Sequence, residues 1–294
     1  MVNAMAAHNL RILENNPGAG ARSGMPATGR HIVTDICGSL RLRDLKAKSR
    51  PVRQGFLPSA GNKPAAKNRV LCMTQPSDVH ATRSAYNAVA ADYAELLRNE
   101  LDTKPFDRAM LGTFAELVDA SGSGTVADIG CGPGRITAHL DSLGLAAFGI
   151  DLSPEMVAVA RKDHPGLRFD EGSMEALELA DGTLGGIVAW YSIIHTPPAR
   201  LPGVFAEFHR ILLDGGLLLL AFQAGDEPRH LDFAYGHEID LDAYRLPPER
   251  ITELLLQAGF VVEAQLLREP DDRYEKTRQA YLLARKPARK PATS

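Results

Sequence analysis

The chain has 294 residues with a net formal charge of −3 and 45% hydrophobic residues, enough to bury a sizeable core in one large domain or two small ones. No stretch approaches the roughly 18 continuous apolar residues of a membrane span. The three cysteines, Cys37, Cys72 and Cys131, show no paired spacing, which argues against a disulfide framework or zinc site and fits a reducing compartment.

The modest net charge hides an asymmetry. Residues 1–75 carry 12 Lys+Arg against 3 Asp+Glu, and the remainder carries 21 against 33. The first stretch is also rich in Gly, Pro, Ser and Asn and lacks sustained periodicity, so it reads as a disordered basic arm. A solvated tail, a polyanion-attracted arm, a transit peptide and an over-extended reading frame starting ahead of Met73 all remain open for it. Residues 287–294 read as a short basic tail.

The folded pattern occupies 76–286. A helix capped by Ser77 or Asp78 runs to about Leu101, with Tyr86, Val89, Ala90, Tyr93, Leu96 and Leu97 on one side. Pro105 to Ala120 is a second helix, and its apolar face is read as Phe106, Met110, Phe114 and Leu117. Then strands and helices alternate. Thr125–Gly130 is a strand, followed by a helix to about Leu143, a strand at Ala146–Asp151, and a helix at Pro154–Asp163 capped by Ser153. Strands follow at Leu167–Asp170 and Gly185–Trp190, then a helix from Pro197 to about Leu213 and an apolar strand at Leu217–Phe222. Residues 223–246 interrupt the alternation with a polar excursion too long for a plain connection. A helix at Pro247–Ala258 and two strands, Phe260–Arg268 and Gln279–Arg285, close the chain. The alternation predicts an α/β three-layer domain with a mostly parallel sheet.

The functional signal begins at Val126-Ala-Asp-Ile-Gly-Cys-Gly-Pro-Gly134. A buried strand ends in three glycines at alternate positions, and a helix follows. Glycine reaches backbone angles closed to other residues and lets a ligand lie against the main chain. The dinucleotide fingerprint would need a glycine at position 135, which is Arg135, so a nicotinamide enzyme is disfavoured. The second strand ends in Asp151, where a carboxylate accepts from ribose hydroxyls in nucleotide-binding βαβ units; the alternative is a helix-capping carboxylate.

The pattern Asp-x-Gly-x-Gly-x-Gly, with Gly-Ile-Asp-Leu-Ser-Pro-Glu-Met and Glu207-Phe-His-Arg-Ile-Leu-Leu-Asp-Gly-Gly216 behind it, resembles the class I S-adenosylmethionine-dependent methyltransferases of small-molecule type over roughly 77–286. The resemblance implies a Rossmann-like sandwich with a seven-stranded sheet, its last strand antiparallel, and S-adenosyl-L-methionine as cofactor. It implies cofactor contacts from Tyr86 and Tyr93 on a lid helix; from Asp128, Gly130, Cys131 and Gly132 in the glycine turn; and from Asp151 and Leu152. It adds Ser173 and Met174 at the adenine end, and Ala189 and Trp190 at the end of the fourth strand. Ser173 stands where the family often has an acidic residue.

His195 is the candidate general base because its unperturbed pKa lies near neutrality; the alternative is a structural histidine bonding the loop before Pro197. Tyr191 either orients substrate or packs the lid. Met174, Tyr86 and Tyr93 could also be ordinary core. No metal is expected: His230 and His237 lack carboxylates at ligand spacing. The expected partner is a small molecule with an oxygen or nitrogen nucleophile, in the cytoplasm. An RNA or protein methyltransferase and a non-catalytic binding domain on the same fold are the alternatives; the acidic folded region argues against a nucleic-acid groove.

Overall fold

A computed structural model describes residues 76–122, 124–273 and 275–288. The basic arm and most of the basic tail lie outside the described residues.

The elements in order are α1 (Ser77–Leu97), a 3-10 turn (Glu100–Thr103), α2 (Pro105–Ser121), β1 (Val126–Ile129), α3 (Arg135–Ser142), β2 (Ala147–Asp151), α4 (Pro154–Asp163) and β3 (Arg168–Glu171). Then come β4 (Leu184–Trp190), a 3-10 turn (Ile193–His195), α5 (Leu201–Ile211), β5 (Leu212–Gln223), β6 (Pro228–Ala234), β7 (His237–Tyr244), α6 (Pro248–Gln257), β8 (Val261–Arg268) and β9 (Gln279–Arg285). The main sheet has seven strands in the order β3-β2-β1-β4-β5-β9-β8. β9 runs antiparallel to both its neighbours and the other strand pairs are parallel, so the expected Rossmann-like arrangement is present.

Side chains of a strand alternate between faces, and here each face feeds its own core. Ile187, Ala189, Leu218, Leu220 and Phe222 pack with Phe205 and Phe208 of α5 and Leu254 and Leu255 of α6. Val188, Trp190, Leu217, Leu219 and Ala221 pack with Leu111, Phe114 and Val118 of α2 and Ile136 and Leu140 of α3. Each large side chain fully buried this way contributes on the order of 1.5–3 kcal/mol. Two covered faces explain why β4 is buried at every position.

Four details depart from the sequence reading. The stripe of α2 is Leu111, Phe114, Ala115 and Val118, spaced i, i+3, i+4, i+7, whereas Phe106 points outward at 49% exposure. The first helix stops at Leu97, ahead of the 3-10 turn. The helix after β4 starts at Leu201, not Pro197; a residue preceding proline is pushed out of the helical region, so the Pro197–Pro198 step stays a turn. Residues 228–244 are not an irregular excursion but an antiparallel hairpin, β6–β7. Its connection is Tyr235-Gly236, with φ of 53° and 87°, the left-handed pair that matches strand twist in a tight hairpin.

The hairpin packs on α1. Leu231 and Leu241 meet Ala85, and Tyr235 and Ile239 border Val89, Ala90 and Tyr93. On its other side α1 meets Met156 of α4. A helix and a hairpin thus cover the ends of the strands from which a ligand crevice opens.

Candidate functional site

The strand order places β1 beside β4, where the chain direction of winding reverses, and ligands in open α/β sheets sit beyond the strand ends at that point. There the structure has a cavity of about 800 Å³, counted out to its open mouth. Tyr86, Tyr93, Gly130, Gly132, Asp151, Leu152, Ser173, Met174, Trp190, Tyr191 and His195 all line it. Most of the residues expected from the sequence therefore meet around one cavity, although they span more than a hundred positions.

Asp128, Cys131 and Ala189 are not among the lining residues. Asp128 is fully buried, and Thr137 Oγ1 donates to its Oδ2 at 2.7 Å. Burial pushes its carboxyl up to about 7, against the pull of the Thr137 hydrogen bond. The Cys131 side chain points back under the sheet, where it packs with Val157, Ala160 and Phe169, and burial raises its thiol well above the ordinary value. Ala189 belongs to the core on the α5–α6 face.

The glycine turn is held from both sides. Gly130 has φ 75°, and a Cβ there would lie 2.3 Å from Ser192 Cβ, so the turn abuts the loop after β4. Ser192 Oγ in turn donates to the carbonyl of Ile129 at 2.7 Å. Gly132 has φ 55°, and the nearest atom to a Cβ there would be Tyr93 Cε1 at 3.9 Å. This second glycine therefore opens onto space beneath α1, not onto packed atoms.

Asp151 ties the turn to β2. Its Oδ2 accepts from Gly132 N at 2.7 Å and its Oδ1 from Ser153 N at 2.8 Å. Burial raises its carboxyl pKa, opposed by the backbone donors of Ser153, Gly132 and Leu152. A carboxylate has about four acceptor sites, so at least one remains for a ligand. Ser153 also caps α4, its Oγ accepting from Met156 N.

The far wall is aromatic. Trp190 and Tyr191 pack edge to face, and Tyr191 sits at φ 55°, an uncommon backbone state for a bulky side chain. Tyr281 hydrogen-bonds Tyr191 and donates to Asp107 Oδ1 of α2 at 2.7 Å. Trp190 Nε1 is buried without a hydrogen-bond partner. Tyr86 meets Tyr93 edge on, and Tyr93 meets Tyr235 of the hairpin turn the same way. Behind Tyr93, Arg135 pairs with Glu100 at 2.8 Å.

His195 is engaged at both ring nitrogens. Nδ1 lies 2.9 Å from the backbone oxygen of Asp242 in β7, and Nε2 lies 2.7 Å from the Tyr86 hydroxyl. Burial lowers its pKa to about 4, so the ring is neutral near pH 7. The sequence reading missed Thr82, Met156, Glu175, Thr196 and Arg200 on the wall. Arg200 bridges Asp78 of α1 and Glu175, a pairing with no sequence signal because its members lie far apart.

A family model described as a methyltransferase domain matches residues 126–216, from the start of β1 into β5. Residues 126–216 are a methyltransferase domain. The domain is 35% identical over 92 residues to a demethylmenaquinone methyltransferase of Chlorobaculum parvum, a match covering 31% of this chain and 37% of that protein. A malonyl-[acyl-carrier protein] O-methyltransferase of Enterobacter lignolyticus is 28% identical over 155 residues, 51% of this chain and 57% of the relative. The chain thus spans about half the length, or less, of these curated relatives. Among solved structures, magnesium protoporphyrin IX methyltransferase from Synechocystis PCC 6803 with bound SAM shares the methyltransferase fold. Its TM-score is 0.55 at 18% identity, over 72% of this chain and 98% of that one. Among the described residues no helix is long and apolar enough to cross a membrane.

Proposed function

We propose that the protein is an S-adenosyl-L-methionine-dependent methyltransferase of the cytoplasm, acting on a small molecule through an oxygen or nitrogen nucleophile. The observation that carries this reading is one juxtaposition: Gly132, opening onto space, lies beside the buried carboxylate of Asp151 on the wall of an aromatic-lined cavity. That combination suits a nucleoside with two ribose hydroxyls and an apolar, positively charged extension.

In this reading Asp151 accepts from the ribose, and the main chain of Gly130 and Gly132 lies against the ligand. Leu152 and Met174 flank the base, and Ser173 accepts at its edge. Tyr86 and Tyr93 close over the other end, and Trp190 and Tyr191 shape the acceptor side. When bound, the cofactor supplies a methyl carbon already activated by the sulfonium. The residues' work is then to orient and to exclude water, and well-positioned reactants recover on the order of 7–11 kcal/mol of barrier. Asp128 acts behind the turn: it sets the loop through Thr137 and β1 without touching the cavity.

Native mass spectrometry of the purified full chain tests the reading, followed by calorimetric titration with S-adenosylhomocysteine. One bound nucleoside per chain is expected. A chain that binds neither S-adenosylhomocysteine nor S-adenosylmethionine overturns it. A metabolite pool screened with a labelled methyl donor then identifies the acceptor.

A further inference from the structure

We propose that Tyr86, backed by His195, takes the proton of an uncharged hydroxyl acceptor, so that the acceptor is an alcohol or phenol and not a carboxylate, phosphate or amine. The inference rests on the reading of the cavity given above and goes beyond it by assigning a proton path and a substrate class.

The direction of the path follows from donor chemistry. The backbone oxygen of Asp242 can only accept, so His195 Nδ1 carries the hydrogen. A neutral imidazole then has a bare Nε2, and the Tyr86 hydroxyl, 2.7 Å away, must donate to it. The Tyr86 oxygen keeps its own lone pairs on the cavity wall. An acceptor hydroxyl there can donate to Tyr86, and the chain acceptor–Tyr86–His195–Asp242 runs one way. β7 thus fixes the tautomer that makes Tyr86 useful.

The acceptor oxygen's lone pair forms the new O–C bond, and the pair of the breaking C–S bond returns to sulfur. The acceptor's proton passes to the Tyr86 oxygen as the Tyr86 proton passes to His195 Nε2. The positive charge that began on sulfur ends on the imidazolium, which releases a proton to solvent after the product leaves.

The weak basicity of His195 suits oxygen. Burial holds its pKa at about 4. An oxygen that gains a methyl while still protonated is a far stronger acid than imidazolium, so transfer runs downhill late in the reaction. An alkylammonium, with a pKa of about 10, would not yield its proton to such a group.

Charge on the wall excludes anions. Arg200 is the one guanidinium or ammonium group among the described lining residues. It is spent on Asp78 and on Glu175, the latter at 3.1 Å. An anionic acceptor would meet the Asp151 and Glu175 carboxylates with no free side-chain cation to offset its desolvation.

The test uses the full chain, loaded with S-adenosylhomocysteine and labelled with nitrogen-15 at histidine. The probes are para-cresol, para-toluate and benzylamine. At neutral pH the His195 resonances should show a protonated Nδ1 and a bare Nε2, and Tyr86→Phe should shift Nε2. Para-cresol should perturb Nε2 in the wild type but not in Tyr86→Phe, and should bind at least roughly tenfold tighter than para-toluate. With S-adenosylmethionine, methylation of para-cresol should fall about 10²-fold or more in Tyr86→Phe and His195→Gln. Both variants are assayed at saturating S-adenosylmethionine, so a change in cofactor affinity does not enter the comparison. A protonated Nε2, an Nε2 unmoved by Tyr86→Phe, equal affinity for para-toluate, or label appearing on benzylamine each overturns the proposal. Failure of the wild type to bind S-adenosylhomocysteine overturns the underlying cavity assignment instead, so the two failures are distinguishable.

Discussion

Replacing Asp151 tests how the glycine turn is held. The carboxylate accepts from two backbone donors, Gly132 N on Oδ2 and Ser153 N on Oδ1, in a nearly buried setting. Hydrogen bonds to a charged group are worth about 1.5–3 kcal/mol each, and a buried donor left without an acceptor costs about 1–3 kcal/mol. Asp151→Asn keeps one oxygen and turns an NH2 group toward an N–H that needs an acceptor. One of the two donors is then lost, for about 1–3 kcal/mol of stability. Asp151→Ala loses both, for about 2–5 kcal/mol, because water reaches part of the exposed turn. Denaturant unfolding of the ligand-free chain reads the stability change. Calorimetry with S-adenosylhomocysteine reads the second consequence, a loss of at least about tenfold in affinity as the turn shifts and the ribose acceptor disappears. If both variants unfold within about 0.5 kcal/mol of wild type, the turn is not held by this carboxylate. Unchanged affinity would remove Asp151 from the ligand site.

Asp128 and His195 give opposite pH signatures. The Asp128 pKa in the folded chain, about 7, lies above its ordinary 3.8, so its contribution is present below pH 3.8 and is lost as pH rises through 7. Asp128→Asn should flatten that loss and, at pH 8, unfold at higher denaturant by about 1–3 kcal/mol; parallel stability curves would count against it. The His195 pKa, about 4, lies below its ordinary 6.5, so its contribution is present above pH 6.5 and is lost as pH falls through 4. His195→Gln should lessen acid destabilisation in that window by about 1–3 kcal/mol, read by acid titration of unfolding. Phe114→Ala, at a fully buried site between α2 and the sheet, should cost about 3–5 kcal/mol in the same unfolding assay. A cost below about 1 kcal/mol would mean that α2 does not pack there.

The central sheet was legible because its physics is local and repetitive. Strands buried on both faces read as apolar runs, and caps such as Ser153-Pro154 mark helix starts; α4 begins and ends where those signals put it. The hairpin β6–β7 was missed because its solvent-facing positions, among them Asp232, Glu238, Asp240 and Asp242, dominate the composition of the segment. The alternation of Ile239, Leu241 and Ala243 after a Tyr-Gly turn was the available signal. The chemistry of the site was harder to read. Individual residues could be named from the glycine turn and strand ends, but Tyr86 and His195 are 109 positions apart, and their contact exists only once α1 folds back over β4. Local spacing likewise carries no trace of the Tyr281–Asp107 bond or the Arg135–Glu100 pair that back the aromatic wall. Asp128 and Cys131 show the converse limit: membership in a motif does not decide which side of a strand end a side chain faces.

A crystal structure of the full chain with S-adenosylhomocysteine tests the central claim most directly. The account predicts the nucleoside in the cavity beyond β1 and β4, with its ribose hydroxyls on Asp151 and its thioether beneath Tyr86 and Tyr93. A ligand bound elsewhere, or a ribose that leaves Asp151 untouched, would contradict it.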